Sequence, residues 1–286
     1  MEKVFLIGAD GMLGVELTTW LEKNYEVVST TIETLDICDR NAVLNKAAEI
    51  NPDYIINCAA YTNVDGCEVN YDLANKVNGE AVANIAEAAN QEDAILIHIS
   101  TDYVFDGKLD IDKVYTEDMT VGPVSAYGKT KLLGEENASK ANKYYILRTA
   151  WLYGLGGKNF VKTMLKLSET HDKITVVNDQ HGSPTCTTTL CGIIEGVMEK
   201  KPAYGVYHST NEGFTTWYDF TKKIFEYAGK TTIVEPVTSE QYKQMNPASS
   251  DRPKNSMLSK AKLEAIGIVP SRWEDALAGY LKEELK

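Results

Sequence analysis

Tyr127 and Lys131 stand four residues apart, the spacing at which two side chains of a helix share one face. A lysine ammonium beside a tyrosine favours the phenolate. Lowering a phenol pKa from ~10 to near neutrality takes about 3 units, or roughly 4 kcal/mol, which a nearby ammonium and the positive ring of an oxidised nicotinamide could supply together. Thr101, at the end of an apolar stretch, adds a hydroxyl that can hold a carbonyl oxygen. Thr101, Tyr127 and Lys131 are therefore candidate catalytic residues for proton delivery to a carbonyl. A plain solvated helix is the alternative for the Tyr-x-x-x-Lys pair.

A glycine-rich loop at residues 8–14 follows the first apolar stretch and opens a segment of helical periodicity. Its glycines allow positive φ angles and let the backbone approach a pyrophosphate, and the helix N-terminus behind them attracts negative charge. This order of strand, loop and helix favours dinucleotide binding over a simple tight turn. The candidate cofactor contacts in the loop are Gly8, Asp10, Gly11, Met12, Leu13 and Gly14.

The residues that would select the cofactor are ambiguous. The second predicted strand ends in Ser29-Thr30-Thr31, which holds neither an acid for a ribose hydroxyl nor an arginine for a phosphate. NADH and NADPH therefore both stay open. Further along the chain, Asp36 and Ile37 are candidates to lie against the adenine, with a capped loop as the other interpretation.

The elements that must position these residues follow from four short apolar runs, at residues 4–7, 54–56, 95–97 and 145–147. Runs without polar alternation are typical of parallel strands buried on both faces. Segments of helical periodicity lie between them. The alternation predicts an α/β fold with a doubly wound parallel sheet of the Rossmann type.

We predict two parts of the chain. Residues 1–150 form the dinucleotide-binding Rossmann domain, and residues 151–286 form mainly a smaller mixed substrate-binding lobe. Two segments of the second part, near 172–180 and 204–210, are expected to return to the sheet. Ligands of open α/β sheets bind beyond the carboxyl ends of the strands, so the lobe should lie at that edge.

Composition limits the partners. The 286 residues carry 29 Lys+Arg against 41 Asp+Glu, a formal net charge of −12. Such an acidic chain without basic runs is not expected to bind nucleic acid or an anionic membrane, and no apolar stretch reaches the ~18 residues of a membrane span. Five irregularly spaced cysteines indicate reduced thiols and a cytoplasmic protein. Neither they nor the four histidines have the spacing of a metal site, so none is predicted.

With these motifs the chain resembles the extended short-chain dehydrogenase/reductase family over nearly its whole length. Within that family it is similar to the reductases of dTDP-linked 4-keto-6-deoxysugars. Several matching segments lie outside the common dehydrogenase core and therefore discriminate within the family. Besides the glycine loop, the matching segments are residues 57–65, 100–105, 127–131, 148–154, 159–160, 178–185 and 215–218.

The resemblance implies hydride transfer from NADPH or NADH to the C4 ketone of dTDP-4-dehydro-L-rhamnose, giving dTDP-L-rhamnose. It assigns catalysis to Thr101, Tyr127 and Lys131, with the tyrosine as proton donor. Further residues would line the sugar and nicotinamide pocket, namely Thr62, Val64, Tyr103 and Trp151. The turn after the third strand would pass along the cofactor ribose and diphosphate, through Cys58, Ala59, Ala60 and Tyr61.

Three further residues have side chains that could bind a phosphate or a metal ion. Arg252 can bind a nucleotide diphosphate in bidentate fashion, with a surface loop as the alternative. Asn159 is a second candidate neighbour of the diphosphate, with a helix N-cap as the alternative. Related reductases hold magnesium at a subunit contact through acids on the first helix. Glu16 lies there, but no second acid is near residues 187–189, so magnesium is not supported. A homodimer stays open.

Other functions are weighed against this one. Sugar-nucleotide 4,6-dehydratases that resemble this family carry an Asp-Glu pair after the catalytic threonine, whereas this chain has Asp102-Tyr103. A non-catalytic dinucleotide-binding regulatory subunit, similar to that of methionine adenosyltransferase, is disfavoured because the three candidate catalytic residues are present together. A reductase or epimerase of another nucleotide sugar stays open.

Overall fold

The computed structural model describes all 286 residues, Met1–Lys286. Its strands, in chain order, are β1 (Lys3–Ile7), β2 (Glu26–Thr30), β3 (Tyr54–Asn57), β4 (Ile95–Thr101), β5 (Tyr144–Thr149), β6 (Leu152–Tyr153), β7 (Lys173–Val177), β8 (His181–Gly182), β9 (Thr185–Cys186), β10 (Gly205–His208), β11 (Thr215–Thr216), β12 (Ile233–Val237) and β13 (Asn255–Ser256). Six of them form one sheet in the order β2-β1-β3-β4-β5-β10, and every neighbouring pair is parallel. The α/β prediction with a doubly wound parallel sheet is confirmed.

Helices alternate with these strands. In chain order they are α1 (Met12–Leu21), α2 (Arg40–Ile50), α3 (Val64–Val69), α4 (Tyr71–Asn75), α5 (Ala81–Gln91), α6 (Ala126–Ala138), α7 (Phe160–Ser168), α8 (Thr187–Lys200), α9 (Trp217–Ala228), α10 (Ser239–Met245), α11 (Ala261–Ala265) and α12 (Trp273–Glu284). A π-helical turn, Lys76–Glu80, joins α4 to α5, and a 3-10 turn, Asp102–Val104, follows β4. None of the helices combines the length and the hydropathy needed to cross a membrane.

The central sheet is buried on both faces because its strands are apolar at successive positions. In β1, Val4 and Leu6 lie in one core cluster, and Phe5 and Ile7 lie in the other. Side chains of α1 and α8 cover the first face, and those of α2 and α5 cover the second. Alternating side chains of one strand thus fill two cores, as expected for a strand covered on both sides.

The second half of the chain forms smaller sheets and a third core. Strand β10 joins the central sheet beside β5, which is the outcome predicted for the segment near 204–210. The same prediction for the segment near 172–180 is wrong, because β7 pairs with β12 in a separate two-stranded sheet. Its exposed Lys173 and Thr175 alternate with buried apolar residues, which suits a strand with one face in solvent. The boundary at residue 150 stays a prediction.

Candidate active site

The glycine loop is shaped by contacts that leave no room for a side chain. Gly8 has φ +82, and a Cβ there would lie 2.6 Å from the Ala59 backbone nitrogen. A Cβ at Gly14 would lie 2.1 Å from the Gly8 carbonyl oxygen. Helix α1 begins directly behind the loop, and its N-cap residue, Gly11, supplies no side-chain hydrogen bond to the first turn. The backbone N–H groups at this end are therefore free for an anion, and the cradle fits a dinucleotide diphosphate.

The turn after β3 forms the opposite wall of this cradle. Asn78, in the π-helical turn, accepts a hydrogen bond from the Tyr61 backbone N–H (2.7 Å) and donates one to the Tyr61 carbonyl (3.1 Å). Its amide lies 3.1 Å from the Thr130 hydroxyl of α6. Burial raises the pKa of the Cys58 thiol in this turn to about 12, so the thiol stays neutral. Sequence reasoning missed Asn78, whose partners are remote in the chain.

Asp36 and Ile37 follow β2 on the same side of the sheet. The Asp36 carboxylate accepts a hydrogen bond from the Cys38 backbone N–H at 2.9 Å, which is the capped loop weighed as an alternative. Ile37 is buried in the core cluster that contains Phe5. Their contact with an adenine stays a prediction.

The candidate catalytic side chains converge at the carboxyl edge of β4. Thr101 ends that strand and stands opposite Thr149 of β5. Ser125 caps the N-terminus of α6 by accepting a hydrogen bond from the Gly128 N–H at 3.1 Å, which sets where the helix begins. Lys131 turns back onto β4, where its Nζ donates to the Ile99 carbonyl at 2.7 Å. The structure thus brings Tyr127, Lys131 and the end of β4 together.

Burial dominates the electrostatics at this edge. Burial raises the pKa of Tyr127 well above its ordinary value, and the charge of Asp102 and the neighbouring Tyr103 add to the effect, while contact with the Thr101 hydroxyl opposes it. The lowering of this pKa that is expected from Lys131 together with an oxidised nicotinamide ring stays a prediction. Burial also lowers the pKa of Lys131 to about 8, with Glu135 opposing it. Tyr127 therefore holds its proton at neutral pH, as a proton donor must.

A buried carboxyl next to Thr101 is a feature that sequence reasoning did not place in the site. The Thr101 hydroxyl donates to Asp102 Oδ1 at 2.9 Å, and Ser256 of β13 donates to Oδ2 at 2.5 Å. Burial raises the pKa of Asp102 to about 6 despite these hydrogen bonds. Asp102 thus orients the Thr101 hydroxyl and ties the C-terminal segment to the end of β4.

Tyr103 and Arg252 lie on the lobe side of this edge. The Tyr103 ring meets Tyr127 edge to face, with ring centroids 5.4 Å apart. The Arg252 guanidinium lies 3.5 Å from Asp65 Oδ2, while the other carboxylate oxygen accepts from the Ser250 hydroxyl at 2.7 Å. The charge of Arg252 partly offsets the burial that raises the pKa of Tyr103 to about 12, so the two side chains are neighbours. The structure brings Arg252 to the site and adds Asp65, which sequence reasoning missed.

Trp151, Thr62 and Val64 complete the candidate pocket. Trp151 follows β5 with φ +48 and stacks on Trp217, the first residue of α9, with centroids 3.7 Å apart. Thr62 is exposed, and Val64 is partly exposed at the start of α3. Both follow the turn after β3 in the chain, and their contacts with a sugar stay a prediction.

Asn159 and Glu16 occupy structural positions. Asn159 is the N-cap of α7, because its side chain accepts a hydrogen bond from the Lys162 N–H at 3.0 Å. This is the N-cap role predicted from the sequence as the alternative to a diphosphate contact. Its amide also lies 3.9 Å from the Met12 sulfur, so it adjoins the glycine loop. Glu16 accepts a hydrogen bond from the Thr187 hydroxyl. No group of three or more His, Cys, Asp or Glu side chains is arranged to hold a metal ion.

The fold and the site define the class of protein. A parallel sheet, a glycine loop after β1 and a Tyr-x-x-x-Lys helix beside the end of β4 are the features of extended short-chain dehydrogenases/reductases. The particular family follows from comparison with known proteins: the chain belongs to the RmlD family, since the model of the RmlD substrate binding domain matches residues 1–286. The resemblance noted in the sequence is confirmed.

Individual relatives match over nearly their full length. The spore coat polysaccharide biosynthesis protein SpsK of Bacillus subtilis is 41% identical over 99% of this chain and 98% of its own. A dTDP-4-dehydrorhamnose reductase of Aggregatibacter actinomycetemcomitans is 38% identical over 97% of each chain. The crystal structure of the Bacillus anthracis dTDP-4-dehydrorhamnose reductase in complex with NADP is 39% identical, covers 99% of both chains and superposes with a TM-score of 0.93.

Proposed function

We propose that this protein reduces the C4 ketone of dTDP-4-dehydro-L-rhamnose to dTDP-L-rhamnose with NADPH or NADH. The observation that carries the proposal is Tyr127, whose pKa is raised by burial and which lies beside Thr101 and Lys131 at the carboxyl edge of β4. Support also comes from the relatives named as dTDP-4-dehydrorhamnose reductases and from the NADP bound in one of them.

The residues present fit a nicotinamide dinucleotide. Gly8, Gly11 and Gly14 would let the diphosphate approach the start of α1, and the turn around Cys58 would lie along the opposite side. When bound, a reduced nicotinamide supplies the hydride that the carbonyl carbon receives. The protein supplies the proton and holds the substrate.

Tyr127 gives its phenolic proton to the carbonyl oxygen as negative charge develops there, so that a ketone, one hydride and one proton yield an alcohol. Thr101 would lie next to that oxygen. Its hydroxyl proton, donated to Asp102 Oδ1 at 2.9 Å in the free protein, would turn to the carbonyl oxygen as charge develops there. Lys131, with its pKa lowered by burial to about 8, remains mostly protonated at neutral pH and stabilises the tyrosinate left behind.

Arg252 is the residue we assign to the nucleotide diphosphate. Its guanidinium is held only loosely by Asp65, at 3.5 Å, and its Nε has no hydrogen-bond partner although it is buried. A buried donor without a partner is costly, so a phosphate oxygen would complete its hydrogen bonding. Tyr103 and Trp151 would form the walls around the hexose.

A reductase or epimerase of another nucleotide sugar is the second candidate. The observation in its favour is the 41% identity to SpsK, which is named for spore coat polysaccharide biosynthesis and not for a substrate. A non-catalytic regulatory subunit is disfavoured because Thr101, Tyr127 and Lys131 are present together at the carboxyl edge of β4.

The deciding experiment mixes the protein with dTDP-4-dehydro-L-rhamnose and NADPH or NADH, and follows cofactor absorbance while the product is identified by NMR. Stoichiometric oxidation of the cofactor with formation of dTDP-L-rhamnose supports the proposal. Turnover only with a 4-keto sugar on another nucleotide would favour the second candidate. Absence of turnover with all of these substrates would remove the reductase assignment.

A further inference from the structure

The backbone of Trp151 is in an unusual conformation. Its φ is +48, a region that side chains other than glycine seldom adopt, and that persists only where the surroundings enforce it. Three other non-glycine residues have positive φ, namely Asn51, Asp93 and Lys201, and all three lie at helix ends or surface turns. Trp151 differs because it lies at the carboxyl edge of the central sheet, two residues beyond Thr149.

Two contacts hold the Trp151 indole. On one side lies Trp217, with ring centroids 3.7 Å apart and planes inclined by 13°. Near the other end of the indole lies Gly182 of β8, where an added Cβ would stand 2.7 Å from Cε2 of the Trp151 ring. Glycine at position 182 therefore leaves the space that the Trp151 indole occupies, and a larger residue would displace the ring.

Trp217 is itself rigidly placed. It is the first residue of α9, whose N-cap, Thr216, accepts a hydrogen bond from the Asp219 N–H at 3.0 Å. Its ring also packs on Phe160 of α7, with centroids 4.4 Å apart. Trp217 and Trp151 are both partly exposed, and Trp217 also packs against the core cluster that contains Phe220. A fixed aromatic ring in this position can set the plane of its neighbour.

The stacked rings of Trp151 and Trp217 are connected to the carboxyl edge of β4, where the candidate catalytic residues lie. Thr101 stands opposite Thr149 in the β4–β5 pairing, which puts the Trp151 backbone just past the candidate catalytic threonine. Gly182 pairs with Ser256, and Ser256 donates to Asp102 beside Thr101. A shift of the indole would therefore occur next to the position where the hexose ring is expected.

We propose that Trp217 is a positioning residue for the hexose: it holds the Trp151 indole in the strained conformation that makes it a wall of the sugar site. The inference rests on the proposed function and goes beyond it, because Trp217 acts through Trp151 and determines how tightly the sugar, as opposed to the nucleotide, is bound. Loss of the stack frees the Trp151 ring and weakens binding of the hexose alone.

The test compares Trp217→Leu with three further variants of the full-length protein, the first of which, Trp217→Phe, keeps an aromatic ring at the same position. Gly182→Ala pushes on the same indole from another direction, and Trp20→Phe on α1 is a control for the loss of a tryptophan elsewhere. For each variant, KM for the sugar nucleotide, the inhibition constant of free dTDP and the dissociation constant of NADPH are measured. Near-UV circular dichroism reports whether the stacked indoles are retained.

We expect Trp217→Leu and Gly182→Ala each to raise KM for the sugar nucleotide about tenfold, with dTDP inhibition and NADPH binding changed less than twofold. Trp217→Phe should raise KM less than Trp217→Leu does because an aromatic ring remains, and Trp20→Phe should change none of the three constants. An unchanged KM in a folded Trp217→Leu protein that has lost its indole signal would overturn the inference. Equal losses of sugar nucleotide, dTDP and NADPH binding would overturn it too. Both results require an active wild-type enzyme, so they are distinct from failure of the proposed function.

Discussion

Arg148 and Glu135 form a bidentate ion pair beneath the candidate catalytic residues. The Nε–Oε1 and Nη2–Oε2 distances are 2.9 and 2.7 Å, and both side chains are only 5% exposed. Ser100 donates a further hydrogen bond to Oε1 at 2.5 Å. Since Glu135 lies one turn beyond Lys131 in α6, the pair fixes the helix that carries Tyr127, the candidate proton donor, to the ends of β4 and β5.

Glu135→Gln is expected to destabilise the protein by about 3–5 kcal/mol, because it leaves the buried Arg148 charge without a counter-ion. Urea denaturation followed by circular dichroism measures the loss. The matched control is Glu87→Gln, which breaks the exposed ion pair with Arg40 and should leave the denaturation midpoint in place. A Glu135→Gln protein as stable as wild type would show that the pair does not hold α6.

Tyr127→Phe removes the proposed proton donor while keeping the ring that packs on Tyr103. We expect kcat to fall by ~10²–10⁴-fold, the usual contribution of a general acid, with NADPH binding retained. Steady-state kinetics and fluorescence titration of the cofactor separate the two effects. Tyr71→Phe, at a partly exposed surface position, is the control. A Tyr127→Phe enzyme with wild-type kcat would assign the proton to another group.

Gly14→Ala tests the cradle of the glycine loop. The added Cβ would meet the Gly8 carbonyl oxygen at 2.1 Å, and the backbone at both positions would have to move. We expect NADPH affinity to fall at least tenfold and stability to fall by about 1–3 kcal/mol. Gly279→Ala in α12 is the matched control: nothing lies within 4 Å of its Cβ position, so helix propensity should raise stability by up to about 1 kcal/mol. Undiminished cofactor affinity in the Gly14 variant would place the diphosphate elsewhere.

The parts of the molecule that sequence could predict are those set by local pattern. The run of apolar residues in β1, the glycine loop and the i, i+4 spacing of Tyr127 and Lys131 each depend on neighbours in the chain. Contacts between distant segments could not be predicted from such patterns. The hydrogen bond from Ser256 to Asp102, for example, joins residues that are 154 positions apart in the sequence. The burial that raises the pKa of Tyr127 was out of reach for the same reason, since burial is decided by the whole fold.

Strand β7 is an element whose sheet could not be predicted from its apolar residues alone. An apolar segment near residue 174 is consistent with a place in the central sheet or with a small surface sheet. The exposed residues Lys173 and Thr175 distinguish the surface sheet from the central sheet, because a strand covered on both faces would have no position for them.

Asp102→Asn should change how stability depends on pH. Burial raises the pKa of Asp102 in the folded protein from the ordinary 3.8 to about 6, so the folded state binds more protons than the unfolded state between these values. The stability that the protonated Asp102 carboxyl contributes is therefore present in full below pH ~3.8, and it is lost as the pH rises through about 6. The free energy of unfolding falls by about 3 kcal/mol over this range. The Asp102→Asn variant does not show this loss, because asparagine does not titrate.

The measurement is the free energy of unfolding of wild type and Asp102→Asn from pH 4 to pH 8. His98 and His208, whose pKa values are lowered by burial, destabilise both proteins as the pH falls, and this common trend cancels in the difference. We expect the wild type to lose stability relative to the variant between pH 4 and pH 7, and the difference to level off above pH 7. A difference independent of pH would mean that Asp102 is ionised throughout, and that its carboxylate is stabilised by Ser256 and Thr101 more strongly than burial opposes it.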